Sequence, residues 1–88
     1  MFYVYIIESA GNDTYVGYTN DLKERLEEHN QGLNFSTKNK LPWKLIYYEA
    51  CVRADDARRR EKYLKTTQGR RMLRLRLKEY FYNRGQKI

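Results

Sequence analysis

The chain has 88 residues, with 18 Lys and Arg against 11 Asp and Glu, one Cys and one His. That length allows one domain with a modest core; the lone Cys51 excludes an internal disulfide, and Cys51 with His29 is too small a set for a Cys/His zinc site. Apolar residues make up 41% of the chain, enough for a core, while no apolar run approaches the ~18 residues of a membrane span. The start, Met1 to Ile7, has no basic segment and no small-residue cleavage signal, so it does not read as a secretion signal. The expectation is a single cytoplasmic domain over 1–88 with no membrane partner.

In chain order, Phe2-Tyr-Val-Tyr-Ile-Ile7 is β-branched and aromatic and predicts a strand. Ser9 to Asp13 is a turn cluster, and Thr14 to Tyr18 predicts the second arm of a hairpin. Asp21 followed by Glu24 opens a helix in the manner of a capping box, and Gly32 suits its end. A polar loop over 33–42 ends at Pro42, and Trp43 to Val52 predicts a third, long strand, placed centrally. Asp55 or Asp56 begins a second helix running to about Lys65. Thr67-Gln-Gly begins a third helix, expected to end near Gly85; Leu73 to Lys78 alternates as a strand would, but its Leu, Arg, Lys and Met favour helix. The fold class is α/β (α+β): a small three-stranded antiparallel sheet flanked by helices, in the order β-β-α-β-α-α.

The charge is divided unevenly. Residues 1–52 carry five basic and seven acidic side chains, net −2; residues 53–88 carry thirteen and four, net +9. A small domain with one basic half fits a polyanionic partner, nucleic acid first, although a basic face kept for solubility has the same composition.

Three places break the hydrophobic pattern. The first helix puts Leu22, Arg25, Leu26 and His29 on one stripe, so an Arg and the only His face inward. An inward Arg either reaches past the helix edge, pairs with an acid or faces a phosphate. The second helix aligns Ala54, Ala57, Glu61 and Leu64, which puts the one carboxylate of a basic run on the apolar stripe. Glu61 then pairs with Arg25 or a helix neighbour, or serves as a hard oxygen ligand for Mg²⁺. In the hairpin, pairing centred on Gly11 puts Phe2, Val4, Ile6 and Val16 on a core face and Tyr3, Tyr5, Tyr15 and Gly17 on the other. Tyr5 and Tyr15 then lie together beside a glycine that leaves room for a ligand. Tyr3 reads as structural.

These same residues carry a family resemblance. Tyr3-Val4-Tyr5 and Tyr15-Val16-Gly17 resemble the two half-motifs of the GIY-YIG nuclease superfamily. Thr19 to Asn30, with Arg25 and His29, is similar to its following helical motif, and Ala57 to Lys65 to its metal-binding Glu motif. The resemblance spans residues 2–65 and points to the short stand-alone bacterial members, similar to the catalytic domain of excision-repair endonucleases, and so to DNA repair. Tyr3 stands where the name-giving Gly would be, Val4 and Val16 replace Ile, and Tyr18 occupies the place where excision-repair relatives carry Lys.

The resemblance implies phosphodiester hydrolysis with one divalent metal, Mg²⁺ or Mn²⁺, and with no recognisable reader of base edges the specificity is expected to be low or structural, toward branched, flapped or single-stranded substrates. A free phenol has a pKa near ~10, so a Tyr base needs tuning by a nearby cation or metal-linked water. The implied roles are Tyr15 as base, Tyr5 orienting the water or phosphate, Arg25 stabilising transition-state charge, Glu61 holding the metal, and His29 binding the phosphate or tuning the base. Gly17, Lys38, Arg58, Arg59, Lys62, Lys65, Arg70 and Arg71 are the candidate contacts to nucleic acid, DNA before RNA, and the protein is expected as a monomer or weak dimer. Two other classes fit the composition: a module of this fold that binds nucleic acid without cutting, and a basic protein-interaction domain.

Overall fold

The first strand, β1 (Phe2–Ser9), is apolar on both faces, with Val4, Tyr5, Ile6 and Ile7 all buried. A strand of that kind belongs in the middle of a sheet, and the order is β2-β1-β3. β2 (Thr14–Thr19) and β3 (Trp43–Cys51) both run antiparallel to β1. β3 is therefore an edge strand, not the central one its length had indicated. Its exposed Lys44, Tyr48 and Ala50 suit an edge rather than a centre. The computed structural model describes residues 1–84.

The β1–β2 register is the one centred on Gly11: Tyr5 faces Gly17, Ile6 faces Val16 and Ile7 faces Tyr15. Each face of the sheet has its own cluster. One holds Val4, Ile6 and Val16 with Ala57, Leu64 and Leu73; the other holds Tyr5, Ile7 and Trp43 with Tyr15, Leu22, Leu26 and Leu45. Helix α1 (Leu22–Asn30) covers the second, and α2 (Ala54–Leu64) and α3 (Thr67–Arg76) cover the first.

Local chemistry sets the ends of α1. The Asp21 side chain accepts from the Glu24 N–H at 3.1 Å, and Gly32 takes φ +75°, the left-handed turn after the helix. Asn30 then ties α1 to β3: its Oδ1 accepts from the Trp43 N–H at 2.6 Å and its Nδ2 donates to the Trp43 carbonyl at 2.9 Å. The second helix begins at Ala54, just ahead of the two aspartates expected to start it, and ends at Leu64. A partly buried ion pair from Arg60 to Glu49 at 2.9 Å fixes its other flank to β3.

The third helix is two helices rather than one. Leu77, at φ −111° and ψ 29°, leaves helical geometry, and α4 (Lys78–Arg84) follows; its expected end near Gly85 lies outside the described residues. The break turns α4 back so that Tyr80 and Arg84 reach Glu8, a buried carboxylate on β1. Unpaired, that carboxylate would be costly; the hydroxyl bonds one oxygen, the guanidinium charge faces the other, and both hold α4 to the sheet.

Gly69 marks the closest helix approach. A Cβ there would fall on the Tyr63 carbonyl oxygen and within 2.6 Å of the Leu64 Cα, both backbone atoms of α2 that cannot swing aside. Gly69→Ala is expected to lower stability by about 1–3 kcal/mol, the range for overpacking, read as a lower urea midpoint than the parent's. An unchanged midpoint would show that α3 sits farther from α2.

Candidate active site

Tyr5 is buried, and its ring passes over the β2 position opposite it, Gly17. Any Cβ at 17 would fall on the Tyr5 Cζ and hydroxyl oxygen. The phenol thereby lies over β2, and its hydroxyl meets His29 Nε2 at 2.7 Å. His29 is fully buried in the last turn of α1, and its other nitrogen, Nδ1, lies 2.7 Å from Thr37 Oγ1. Thr37, also fully buried, accepts at its carbonyl from the Trp43 indole N–H at 2.9 Å. A neutral imidazole donates from one nitrogen and accepts at the other, so Tyr5, His29, Thr37 and Trp43 form a continuous chain. The Tyr15 ring stands edge-on to His29, with centroids 5.3 Å apart, and edge-on to Trp43 at 6.4 Å.

Burial pushes the Tyr5 phenol up to about 12; the Arg25 guanidinium beside it pulls the other way, while Tyr15 and the negative Glu61 add to the rise. Burial also pushes His29 below its ordinary value, Arg25 adds to the fall, and Glu28 opposes it. Arg25 is half-buried and pairs with Glu28 at 3.1 Å. Glu61 arrives from the other side of the sheet. It is half-buried on α2 and pairs with Lys65 at 3.0 Å, one turn on.

The two stripes do not converge on one face, as the pattern alone implied. α1 and α2 lie on opposite faces of the sheet, which sets Glu61 across it from the two phenols expected to share one surface with it. Tyr5, Tyr15, Arg25 and His29 come from the α1 side and Glu61 from the α2 side. The partner of Glu61 is its helix neighbour Lys65, not Arg25.

The basic candidates divide. Arg58 stacks over the Tyr18 ring at 5.1 Å, so a cation stands over the position after Gly17 although that residue is not Lys. Arg58, Lys62 and Lys65 follow the Glu61 flank of α2, and Arg70 lines a small cleft beside Thr14 and Val16 of β2. Arg59 is on the other flank, paired with Asp56 at 2.7 Å in a cavity shared with Glu49 and Arg60, and Arg71 is exposed on α3. Lys38 is exposed in the α1–β3 loop, its ammonium 4.8 Å from the Phe35 ring centroid. Thr37 is the site residue that sequence reasoning missed; an isolated Thr in a polar loop has no periodicity to mark it.

Among the described residues, no three His, Cys, Asp or Glu side chains cluster where a metal ion could sit. The donor on offer is the single carboxylate of Glu61. One carboxylate completed by water and substrate phosphate suits Mg²⁺ or Mn²⁺, which keep much of their hydration shell.

The fold thus places two phenols and a guanidinium with α1 on one face of the sheet and the Glu61 carboxylate with α2 on the other. Residues 1–74 match the GIY-YIG catalytic domain, and the chain belongs to the GIY-YIG family, a nuclease superfamily. It is 38% identical over 66 residues to a UPF0213 protein of Clostridium perfringens, covering 74% of this chain and 71% of that protein. A UPF0213 protein of Streptococcus agalactiae is 41% identical over 64 residues, 72% of this chain and 73% of its own. The solution NMR structure of a UPF0213 protein from Bacillus halodurans superposes with a TM-score of 0.51 at 30% identity, over 83% of this chain and 82% of that one. The chain is thus a small GIY-YIG member like these. No helix among the described residues is long and apolar enough to cross a membrane.

Two outcomes follow from the geometry. In Gly17→Ala the new methyl displaces the Tyr5 ring; stability should fall by about 1–3 kcal/mol in urea melts, and an unaltered melt would contradict the ring's path over residue 17. The second concerns pH. Native His29 binds a proton less readily than the unfolded chain does, so stability rises with pH through this interval. The contribution is full above the ordinary imidazole value near 6.5 and is lost as pH falls from there toward the depressed native value. The melting temperature should drop between pH 7.5 and 5, more steeply in the parent than in His29→Gln, and equal slopes would refute the assignment.

Proposed function

We propose that the protein is a divalent-metal-dependent endonuclease that hydrolyses phosphodiester bonds, DNA before RNA, with low sequence specificity, acting in the cytoplasm. The observation that carries this reading is the buried cluster on the α1 face, Tyr5 bonded to His29 with Tyr15 edge-on to the same imidazole, and Arg25 the nearest charge bearing on the Tyr5 phenol. Membership of a nuclease family supports it.

Each residue takes the part its surroundings allow. Tyr5, pushed up to about 12, keeps its proton at neutral pH; it orients the attacking water or the phosphate. Tyr15 is the phenol left for general-base work. As the phenolate, its own proton given up to solvent beforehand, it would take a proton from the attacking water and end as the neutral phenol. That water oxygen forms the new P–O bond as the bond to the leaving oxygen breaks. Arg25 presents a planar donor fork that matches phosphate oxygens and the charge that grows on them. His29 stays neutral through burial and, held by Thr37, fixes the tilt of both phenols. Glu61 would hold Mg²⁺ or Mn²⁺ with water and a phosphate oxygen, exchanging its Lys65 partner for the cation. Bound there, such a cation supplies Lewis-acid stabilisation of the leaving oxygen.

The surface beside Glu61 supplies affinity. Arg58, Lys62, Lys65 and Arg70 border the β2 edge, and each phosphate neutralised adds about −0.9 to the log–log salt slope on duplex DNA. Arg59 and Arg71 extend the basic surface away from the centre.

The experiment is cleavage and binding in parallel across duplex, single-stranded and branched DNA and RNA, with and without Mn²⁺. Glu61→Gln should lose cleavage by about 100-fold or more while binding holds or tightens, because a repulsive carboxylate is gone. Arg25→Ala should lower turnover by about 100–1,000-fold, as for a preorganised transition-state donor, with its melting curve little changed, since its Glu28 pair is partly exposed and worth at most ~1 kcal/mol. Arg70→Ala should weaken binding on every sequence and reduce the salt slope by about one. Salt-sensitive binding with no cleavage under any metal would make the protein a binding module, and no binding at all would leave a protein-interaction domain.

A further inference from the structure

The loop between α1 and β3 carries a side chain that the fold does not use. Its centre is one tight turn: the Asn34 carbonyl accepts from the N–H groups of Thr37 at 3.1 Å and Lys38 at 3.0 Å, and the Asn34 side chain accepts from the Ser36 N–H at 2.9 Å. The turn faces two ways. Inward it places Thr37 against His29. Outward it holds Phe35, 83% exposed and in neither core cluster. The Lys38 ammonium lies 4.8 Å from the Phe35 ring centroid. A cation can cover one face of a ring only, so the other face stays open.

We propose that Phe35 is a stacking platform for an unpaired base next to the scissile phosphate, with Lys38 contacting that nucleotide's phosphate, and that the preferred substrate is therefore single-stranded nucleic acid or the unpaired part of a junction. The proposal rests on the nuclease reading above and names its substrate class. Two residues of chain, at most ~7 Å of backbone, separate the exposed ring from the threonine that bonds His29, so the loop that presents Phe35 is anchored to the site through Thr37. Stacking on an aromatic ring is tolerant of sequence because every base has a π-face. Within a duplex the faces of the bases are already occupied by their neighbours, so the ring selects bases that are unpaired. An exposed phenylalanine whose neighbour is a lysine, on a loop built into the site, fits a nucleotide better than an apolar protein surface, since both parts of the base–phosphate unit find a partner.

The test uses the full chain in EDTA, so that binding is read without cleavage, with a mixed-sequence single-stranded 12-mer and its blunt duplex as probes. Phe35→Ala should lose about tenfold in affinity for the single strand, within the range for one stacked base, and change by less than about twofold on the duplex. Phe35→Trp should retain affinity, and its emission, taken as the difference from the parent whose one tryptophan is the buried Trp43, should be quenched by the single strand and not by the duplex. The proposal is overturned if Phe35→Ala binds the single strand like the parent, which would leave the ring to a protein or lipid partner. It is also overturned if the loss is equal on both probes, or if the Phe35→Trp emission stays unmoved in a bound complex. In those cases metal-dependent cleavage by the parent keeps the nuclease reading intact; a parent that binds neither probe and cuts neither with Mn²⁺ restored removes that reading together with this one.

Discussion

Tyr5 and Gly17 face each other across β1 and β2, and the arrangement of the site follows from the missing side chain at position 17. In an antiparallel pair, opposed side chains normally stand beside one another on the same face. Here one of them is absent, so the tyrosine ring lies over the partner strand and its hydroxyl reaches the buried His29.

The surrounding structure holds the ring in that path. His29 accepts or donates at one nitrogen to Tyr5 and at the other to Thr37, and Thr37 is fastened by the Trp43 indole. Asn30, next to His29 in sequence, clamps both backbone groups of Trp43. The α1–β3 connection is thus attached to the site at several points, although its composition is that of an ordinary polar loop. On the other face Ala57 and Leu64 seat α2 against Val4, Ile6 and Val16, which sets how far Glu61 can reach around β2. The hydrophobic layers fix distance and the polar groups fix orientation.

Much of this was legible in the sequence, for definite reasons. The hairpin register could be read because Val4, Ile6 and Val16 share a face in one register only. The inward positions of Arg25, His29 and Glu61 could be read because Leu22, Leu26, Ala57 and Leu64 define the stripes. A stripe shows that a helix has an inner face and does not show which side of the sheet receives it. β1 is apolar on both sides, so either side would serve, and the placement of α1 and α2 on opposite faces had no local signal. The same double-sided burial is why β1, and not the longer β3, is central. The break at Leu77 was hidden because Leu, Arg and Lys are good helix formers; its cause is tertiary, since Tyr80 and Arg84 of α4 are drawn to the buried Glu8 at the far end of the chain.

The central claim is that one site is assembled around the free edge of β2 from both faces of the sheet. Paramagnetic broadening by Mn²⁺ in a ¹H–¹⁵N NMR spectrum, recorded with a cleavage-resistant phosphorothioate oligonucleotide bound, tests it directly. The account predicts that substoichiometric Mn²⁺ broadens the amides of Tyr15 to Tyr18 on β2 and of Glu61 and its neighbours on α2 together, while those around Glu8, Tyr80 and Arg84 stay sharp. Broadening confined to one of the two segments, or centred on the Glu8 end of the sheet, would contradict it.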